Sequence, residues 1–251
     1  MELSYIELDD RLDAVHVAEL DSPAWVQSAF QRKYLMSWIF HELSLEGVVV
    51  TANDIERALE GRDGLHHCDS DLLRRIRRCR DAIRRLKQAS LRREPITRST
   101  LLEYHAILSG QPSKQALRAE DGPTEHYKHD VVDAAQIEPA MRNVLDRIER
   151  NQFSAHPIQQ AIEAHYGLVR VWPFDEGSAA VARFVQNQIL FTHGYPPALI
   201  HAHDRQQYYH SLHYDVSRLR DVIRAALRNQ ISFREELFMT RPASGAHRLA
   251  S

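Results

Sequence analysis

Cysteine is scarce in this chain. Cys68 and Cys79 are the only two among 251 residues, too few for a disulfide framework or a cysteine metal set. Long hydrophobic runs are missing as well. No apolar stretch approaches the ~20 residues that a membrane-spanning helix requires. The first ten residues, M-E-L-S-Y-I-E-L-D-D, lack the basic and apolar regions of a secretory signal, so a reducing, cytoplasmic setting is expected. Charge of one sign does not dominate either: the formal net charge is -2, and no global basic field points to nucleic acid. What remains is an ordinary folded composition, 43% hydrophobic and 26% charged, long enough for one large or two small domains.

The periodicity is helical almost throughout. Ser22-Pro23 reads as an N-cap followed by proline at the first helical position. The helix it opens carries Val26, Phe30, Tyr34 and Trp38 four apart and stops near Gly47. Thr51 and Asp54 form a capping-box pattern for a second helix that ends at Gly61. Residues 69–93 follow, with Leu72, Ile76, Cys79, Ile83 and Leu86 as a narrow apolar stripe under a surface of arginines. An RNA, DNA or acidic-partner face and a solvated arginine surface are both open readings. The lack of interleaved aromatics favours the second, so a nucleic-acid partner is not expected. Thr97 or Ser99 caps the next helix, with Leu101, Leu102, His105 and Leu108 inward. Amphipathic patterns at 135–150, from His156-Pro157 onward, after Asp204 and over 217–238 complete about eight helices. The division expected is a lead-in at 1–22, N-terminal helices at 23–64, a core at 65–238 and a loose tail at 239–251.

The centre of the chain is His165–Pro197. Trp172-Pro173-Phe174 makes a rigid apolar corner, since proline fixes its own φ and restricts its predecessor. Gly177-Ser178 opens a helix through Val181, Phe184, Val185 and Ile189, and Gly194 with Pro196-Pro197 ends it. A loop that empties into a helix N-terminus is a ready anion site, because the first amides lack partners and the dipole adds positive potential.

Residues 172–183, W-P-F-D-E-G-S-A-A-V-A-R, resemble the signature of the Fic family, H-P-F-x-[D/E]-G-N-G-R-x-x-R. Pro173, Phe174, Glu176, Gly177 and Arg183 match. Trp172 stands where the family has its catalytic histidine, Ser178 replaces the asparagine, Ala179 the second glycine and Ala180 the first arginine. The segment L-S-L-E-G, ending at Glu46-Gly47, is similar to the family's inhibitory helix. Glu42 stands four residues earlier where serine or threonine is usual. The resemblance spans roughly residues 25–235 and implies an all-α helical bundle with a short β-hairpin flap within Gln111–Val132, begun by Leu117-Arg118 with His126, Tyr127 and His129 near its tip. It further implies a Glu46–Arg183 pair, ligand contacts from Phe174, Gly177, Ser178, Arg183, Leu117 and Arg118, and dimers, which are common in the family.

The function implied turns on the substitutions. In the family the histidine takes the proton of the target hydroxyl, and Trp172 has no group that can accept one. Ala180 offers no phosphate fork. Glu176, with Asp175, stands at the magnesium-holding position and could hold Mg2+ only weakly, or could simply favour the helix dipole. The first expectation is therefore a pseudoenzyme that has lost AMP transfer and binds a protein partner or a nucleotide-like ligand. The alternative is an enzyme of altered chemistry, transferring or hydrolysing another phosphate-linked group, with Glu46 and Glu176 catalytic and Arg183 assisting. His165 or a flap histidine is a candidate replacement base. His201-Ala-His203 and His210-Ser-Leu-His213 could ligate a metal, although neither has the spacing of a known zinc motif.

Overall fold

A computed structural model of the chain describes residues 5–61, 67–111, 117–120 and 130–239. Ten α-helices occur among the described residues: α1 Tyr5–Leu20, α2 Ala24–Leu45, α3 Ala52–Leu59, α4 His67–Leu91, α5 Arg98–Ser109, α6 Ile137–Asn151, α7 Pro157–Val171, α8 Ser178–Thr192, α9 Arg205–Ser211 and α10 Val216–Phe238. No described helix is long and apolar enough to cross a membrane.

The bundle is built around α8, which is buried at every position from Ser178 to Leu190. Helices α7, α4 and α5 pack directly against it. A helix apolar on all sides belongs in a core, and its few polar groups are satisfied there. Gln188 Oε1 accepts from the Tyr104 hydroxyl at 2.7 Å, and Asn187 Oδ1 accepts from the Ala198 amide at 2.9 Å. On α2, Trp38 is fully buried and stacks between Phe184 at 6.4 Å and Phe191 at 5.8 Å.

Several boundaries fall where residue chemistry places them. The Thr51–Asp54 capping box forms in both directions, as does a second one between Thr97 and Thr100. Gly47 and Gly110 adopt φ of +79° and +72°, ending α2 and α5 in the left-handed region.

Two expectations are corrected, and a third falls largely outside the described residues. The segment expected as a lead-in is a helix: α1 buries Leu8, Leu12 and Val15 and packs along α10. Arg11 clamps Glu235 with two bonds of 2.6 and 2.8 Å. Asp9 takes bonds from the Tyr195 hydroxyl and from His156. Its apolar spacing is sparse, and the partners that stabilise it lie more than 140 residues away. Second, Ser22 does not cap α2. Its hydroxyl turns back to the Ala18 carbonyl of α1 at 2.8 Å, and Pro23 stands at the N-cap. Third, the flap hairpin is not seen. No strand occurs among the described residues; 112–116 and 121–129, with His126, Tyr127 and His129, lie outside them. The described parts are fastened separately to the end of α7. The Arg118 amide donates to Pro173 O at 2.8 Å and the Val132 amide to Arg170 O at 3.1 Å.

The arginines of α4 are largely engaged within the fold. Arg85 pairs with Glu94 and Glu103 at 2.7 Å each, Arg77 reaches the Ala58 carbonyl, and Arg78 the Ser109 carbonyl. Ile76, Cys79, Ile83 and Leu86 are buried as expected; the stripe is broader, with Leu73 fully inside, Leu72 half-buried beside it, and Ala82 and Ala89 added.

Trp38→Ala is expected to destabilise the chain by about 3–5 kcal/mol, since it opens a large cavity against α8. Urea unfolding of the variant beside the parent measures it.

Candidate functional site

The loop between α7 and α8 is fixed from within. Trp172 ends α7 at φ +47°, with its amide still bonded to Leu168 O at 2.9 Å. The left-handed turn directs the chain into Pro173 and Phe174, both buried. The Ser178 hydroxyl accepts from the Phe174 amide and donates to the Phe174 carbonyl, each at 2.8 Å. Gly177 reaches φ +80°, a conformation that suits glycine. Arg118 holds the outer side: its Nε donates to Trp172 O at 3.1 Å and its Nη2 to Val132 O at 2.6 Å.

Above this loop lies a cavity of about 720 Å³ whose walls include Glu46, His105, Asp175, Glu176, Gly177 and Ala180. The Trp172 ring is not part of its lining. The pocket is open, and the Trp172 side chain is packed into the core instead.

One turn of α8 beyond Ala180 sits Arg183, fully buried. Its Nε and Nη2 donate to Glu42 Oε1 at 2.8 and 2.6 Å, and Nη2 also donates to Glu46 Oε1 at 2.6 Å. Burial opposes the guanidinium charge, but Glu42 and Glu46 outweigh it and hold its pKa well above the usual value. Burial pushes the Glu42 carboxyl up, with Arg183 acting against that shift. The sequence reasoning noted Glu42 only as a departure and gave it no role. Its signal was its position one helical turn before Glu46, on the same face of α2.

Helix α9 braces this cluster. Tyr208 OH lies 3.4 Å from Arg183 Nη1, and Tyr209 OH and Arg205 Nε both donate to Leu45 O, at 3.1 and 2.8 Å. Gly47 frees the end of α2 for those contacts.

The expected site residues therefore separate into groups. Glu46 and Arg183 are brought together. Glu176 and Gly177 line the cavity. Phe174 lies beneath it and stacks flat on His105, centroids 4.1 Å apart. Ser178 and Arg118 are buried, the Ser178 hydroxyl bonded to Phe174 and the Arg118 guanidinium to the carbonyls of Trp172, Glu120 and Val132. Leu117 is half-buried against the core. His165, a candidate base, is bonded through one nitrogen to Gln186 at 2.5 Å and through the other to Tyr208 OH at 2.9 Å. Burial lowers its pKa to about 3.

His105 is the second residue whose place the spacing did not disclose; it read only as an inward position of α5. Burial lowers its pKa, opposed by a hydrogen bond to the Glu176 backbone and by the charges of Asp175 and Glu176. Its buried Nδ1 has no hydrogen-bond partner.

A resident metal does not fit these residues. Among the described residues no three His, Cys, Asp or Glu side chains converge on one point. Asp175 and Glu176 supply two carboxylates at most, so magnesium would need phosphates brought by a ligand. The C-terminal histidines form no such set either: His201 stacks on His41 at 4.5 Å, and the His210 and His213 rings lie 6.2 Å apart.

Two stability outcomes follow. Arg183→Leu leaves the buried Glu42 and the partly exposed Glu46 without a counter-charge and is expected to cost about 3–5 kcal/mol at pH 7. Glu42 already titrates high, and it can take up a proton on acidification, so the gap to the parent narrows at pH 5. Urea unfolding at both pH values measures the two. For His165, a lowered pKa means stability present above the ordinary imidazole value and lost as pH falls toward 3. The parent should lose up to ~1.4 kcal/mol per pH unit below about 6.5 from this group, and His165→Gln should flatten that slope.

Residues 95–190 match the Fic/DOC family model. Among curated relatives, "Protein adenylyltransferase Fic" of Drosophila ananassae is 28% identical over 211 residues, 81% of this chain and 40% of the relative. The protein of the same name from Drosophila grimshawi is 28% identical over 214 residues, 84% and 43% respectively. The chain thus spans about two fifths of the length of these relatives. Among solved structures, a Fic domain-containing signalling protein from Bacteroides thetaiotaomicron superposes with a TM-score of 0.80 at 15% identity, covering 95% of this chain and 98% of that one. Residues 134–508 of Fic-1 from C. elegans superpose at 0.71 and 20% identity, covering 91% and 71%. Helix order and chain-wide superposition agree with the family match, and the protein carries a Fic/DOC-family domain at residues 95–190.

Proposed function

We propose that this protein is a Fic-fold binding protein that has lost AMP transfer and holds a ligand in the cavity above α8. The observation that carries the reading is the state of the groups that would handle phosphate. Arg183 is closed between Glu42 and Glu46. Ser178 is bonded to its own loop, and Trp172, which cannot accept a proton, is packed in the core. Asparagine, glycine and arginine positions of the signature hold Ser178, Ala179 and Ala180, which supply neither charge nor fork. The loss of a base costs ~10²–10⁴ in rate and the loss of a charge stabiliser ~10²–10³.

A second reading has one observation in its favour. The cavity is not filled by the Trp172 ring, and its volume is that of an ordinary small-molecule site. Glu46 and Glu176 reach its wall and could act as acid and base in a hydrolysis or transfer that needs no phosphate fork. Protein partners and dimerisation belong to the same proposal and rest on the family resemblance; a cytoplasmic setting is proposed from the scarcity of cysteine.

Incubation with labelled ATP, GTP, UTP and CTP tests the main reading. Neither self-labelling nor labelling of lysate proteins is expected, and Glu46→Gly should gain none. Robust labelling by the parent overturns the proposal. Labelling that appears only in Glu46→Gly would show that the pair is a brake on intact chemistry, which also overturns it. Release of AMP from AMP-modified protein, abolished by Glu46→Gln, would favour the second reading.

A further inference from the structure

The two carboxylates that hold Arg183 are not equivalent. Glu42 lies inside α2 with its side chain 6% exposed, and its Oε1 accepts from both Nε and Nη2, at 2.8 and 2.6 Å. Trp38, Ile39 and Leu43 are buried beside it on the same helix. Glu46 takes one bond, from Nη2 at 2.6 Å, and its side chain is 26% exposed. It stands at the C-cap of α2, directly before the left-handed Gly47, where the helix has ended. Leaving Arg183 therefore costs Glu46 one bond and gives it water. Leaving costs Glu42 two bonds from within the core.

The two also compete. Nη2 donates to both. Burial raises the Glu42 pKa, Arg183 acts against that shift, and the charge of Glu46 raises it further. When Glu46 turns away this repulsion is relieved, and the Glu42–Arg183 pair tightens. Both carboxylates line the cavity and Arg183 does not, so they stand between the guanidinium and the open space. On its other side Nη1 meets the neutral Tyr208 hydroxyl at 3.4 Å.

We infer that Glu42 is a fixed lock that closes Arg183 to phosphate-bearing ligands, and that Glu46 is a gate whose opening does not release it. This rests on the reading above that the cavity admits a ligand. With Glu46 turned away, an entering phosphate still meets a guanidinium held through two donors by Glu42. Displacing Glu42 would leave its carboxylate buried without a counter-charge, so exchanging one anion for the other gains nothing. Glu42 is a positioning residue: it acts through Arg183 and decides which ligands the cavity can take. With both carboxylates gone, Arg183 is a buried cation without a counter-charge, and a phosphate supplies one.

Calorimetric titration of the full chain with tripolyphosphate at pH 7 tests this. The parent and Glu46→Gly are expected to bind it weakly and alike. Glu42→Ser combined with Glu46→Gly should bind it about tenfold more tightly, the value of one charge-assisted bond. Glu42→Gln with Glu46→Gly, which keeps the shape of residue 42, should show the same gain. Adding Arg183→Gln should remove it. The inference is overturned if Glu46→Gly alone binds as tightly as the double variants, if the folded double variants show no gain, or if the gain survives Arg183→Gln. Urea unfolding of the single variants is a second check. Glu46→Gln should shift the midpoint less than Glu42→Gln does, and an equal or larger shift overturns the fixed lock. Labelling from ATP is read separately. Labelling by a double variant would remove the loss of AMP transfer and leave the lock standing. Tight binding by Glu46→Gly without labelling would remove the lock and leave that loss standing.

Discussion

The structure depends on one buried cation. Arg183 sits in the most enclosed helix of the fold and makes two charge-assisted bonds to Glu42 and one to Glu46. An arginine cannot shed its proton to escape such a site, so its environment must supply a counter-charge. Alpha-helix α2 supplies two, one helical turn apart, and is thereby held across the start of α8. The ends of both helices, the left-handed Gly47 and the tyrosines of α9 all serve this contact. The second carboxylate, Glu46, joins this contact from the cavity edge.

Where a phosphate site would turn serine and arginine donors outward, the loop between α7 and α8 turns them inward. Ser178 closes a ring with Phe174, and Arg118 gathers the carbonyls of Trp172 and Val132. Trp172 contributes a large apolar surface to the core from a position that needs φ +47°. Geometry survives because packing and helix ends maintain it, and neither depends on the groups that were replaced.

Much of this was legible in the sequence, for identifiable reasons. Helices α2, α3, α7, α8 and α10 announced themselves through local signals: a capping box at Thr51, proline at 157, glycines at 47, 177 and 194, and apolar spacing between. The Glu46–Arg183 contact was implied by resemblance, since the two residues are 137 apart and no local pattern joins them. Helix α1 was missed because its stability comes from α10, Tyr195 and His156. The arginine-rich face of α4 could be read either way until Glu94, Glu103 and the Ala58 and Ser109 carbonyls were seen to occupy part of it. Glu42 and His105 were hidden for opposite reasons. A carboxylate on a helix usually faces water, and a histidine on an apolar face is usually a satisfied core residue. Glu42 is in the core with a partner, and His105 is in the core with one nitrogen unpartnered.

The two exceptions meet at the same cavity. Burying Glu42 costs desolvation that Arg183 only partly offsets, as its raised pKa records. Leaving His105 Nδ1 without a partner adds a second cost. Glu42 is kept there by Arg183, whose buried charge would lose two of its three carboxylate bonds without it.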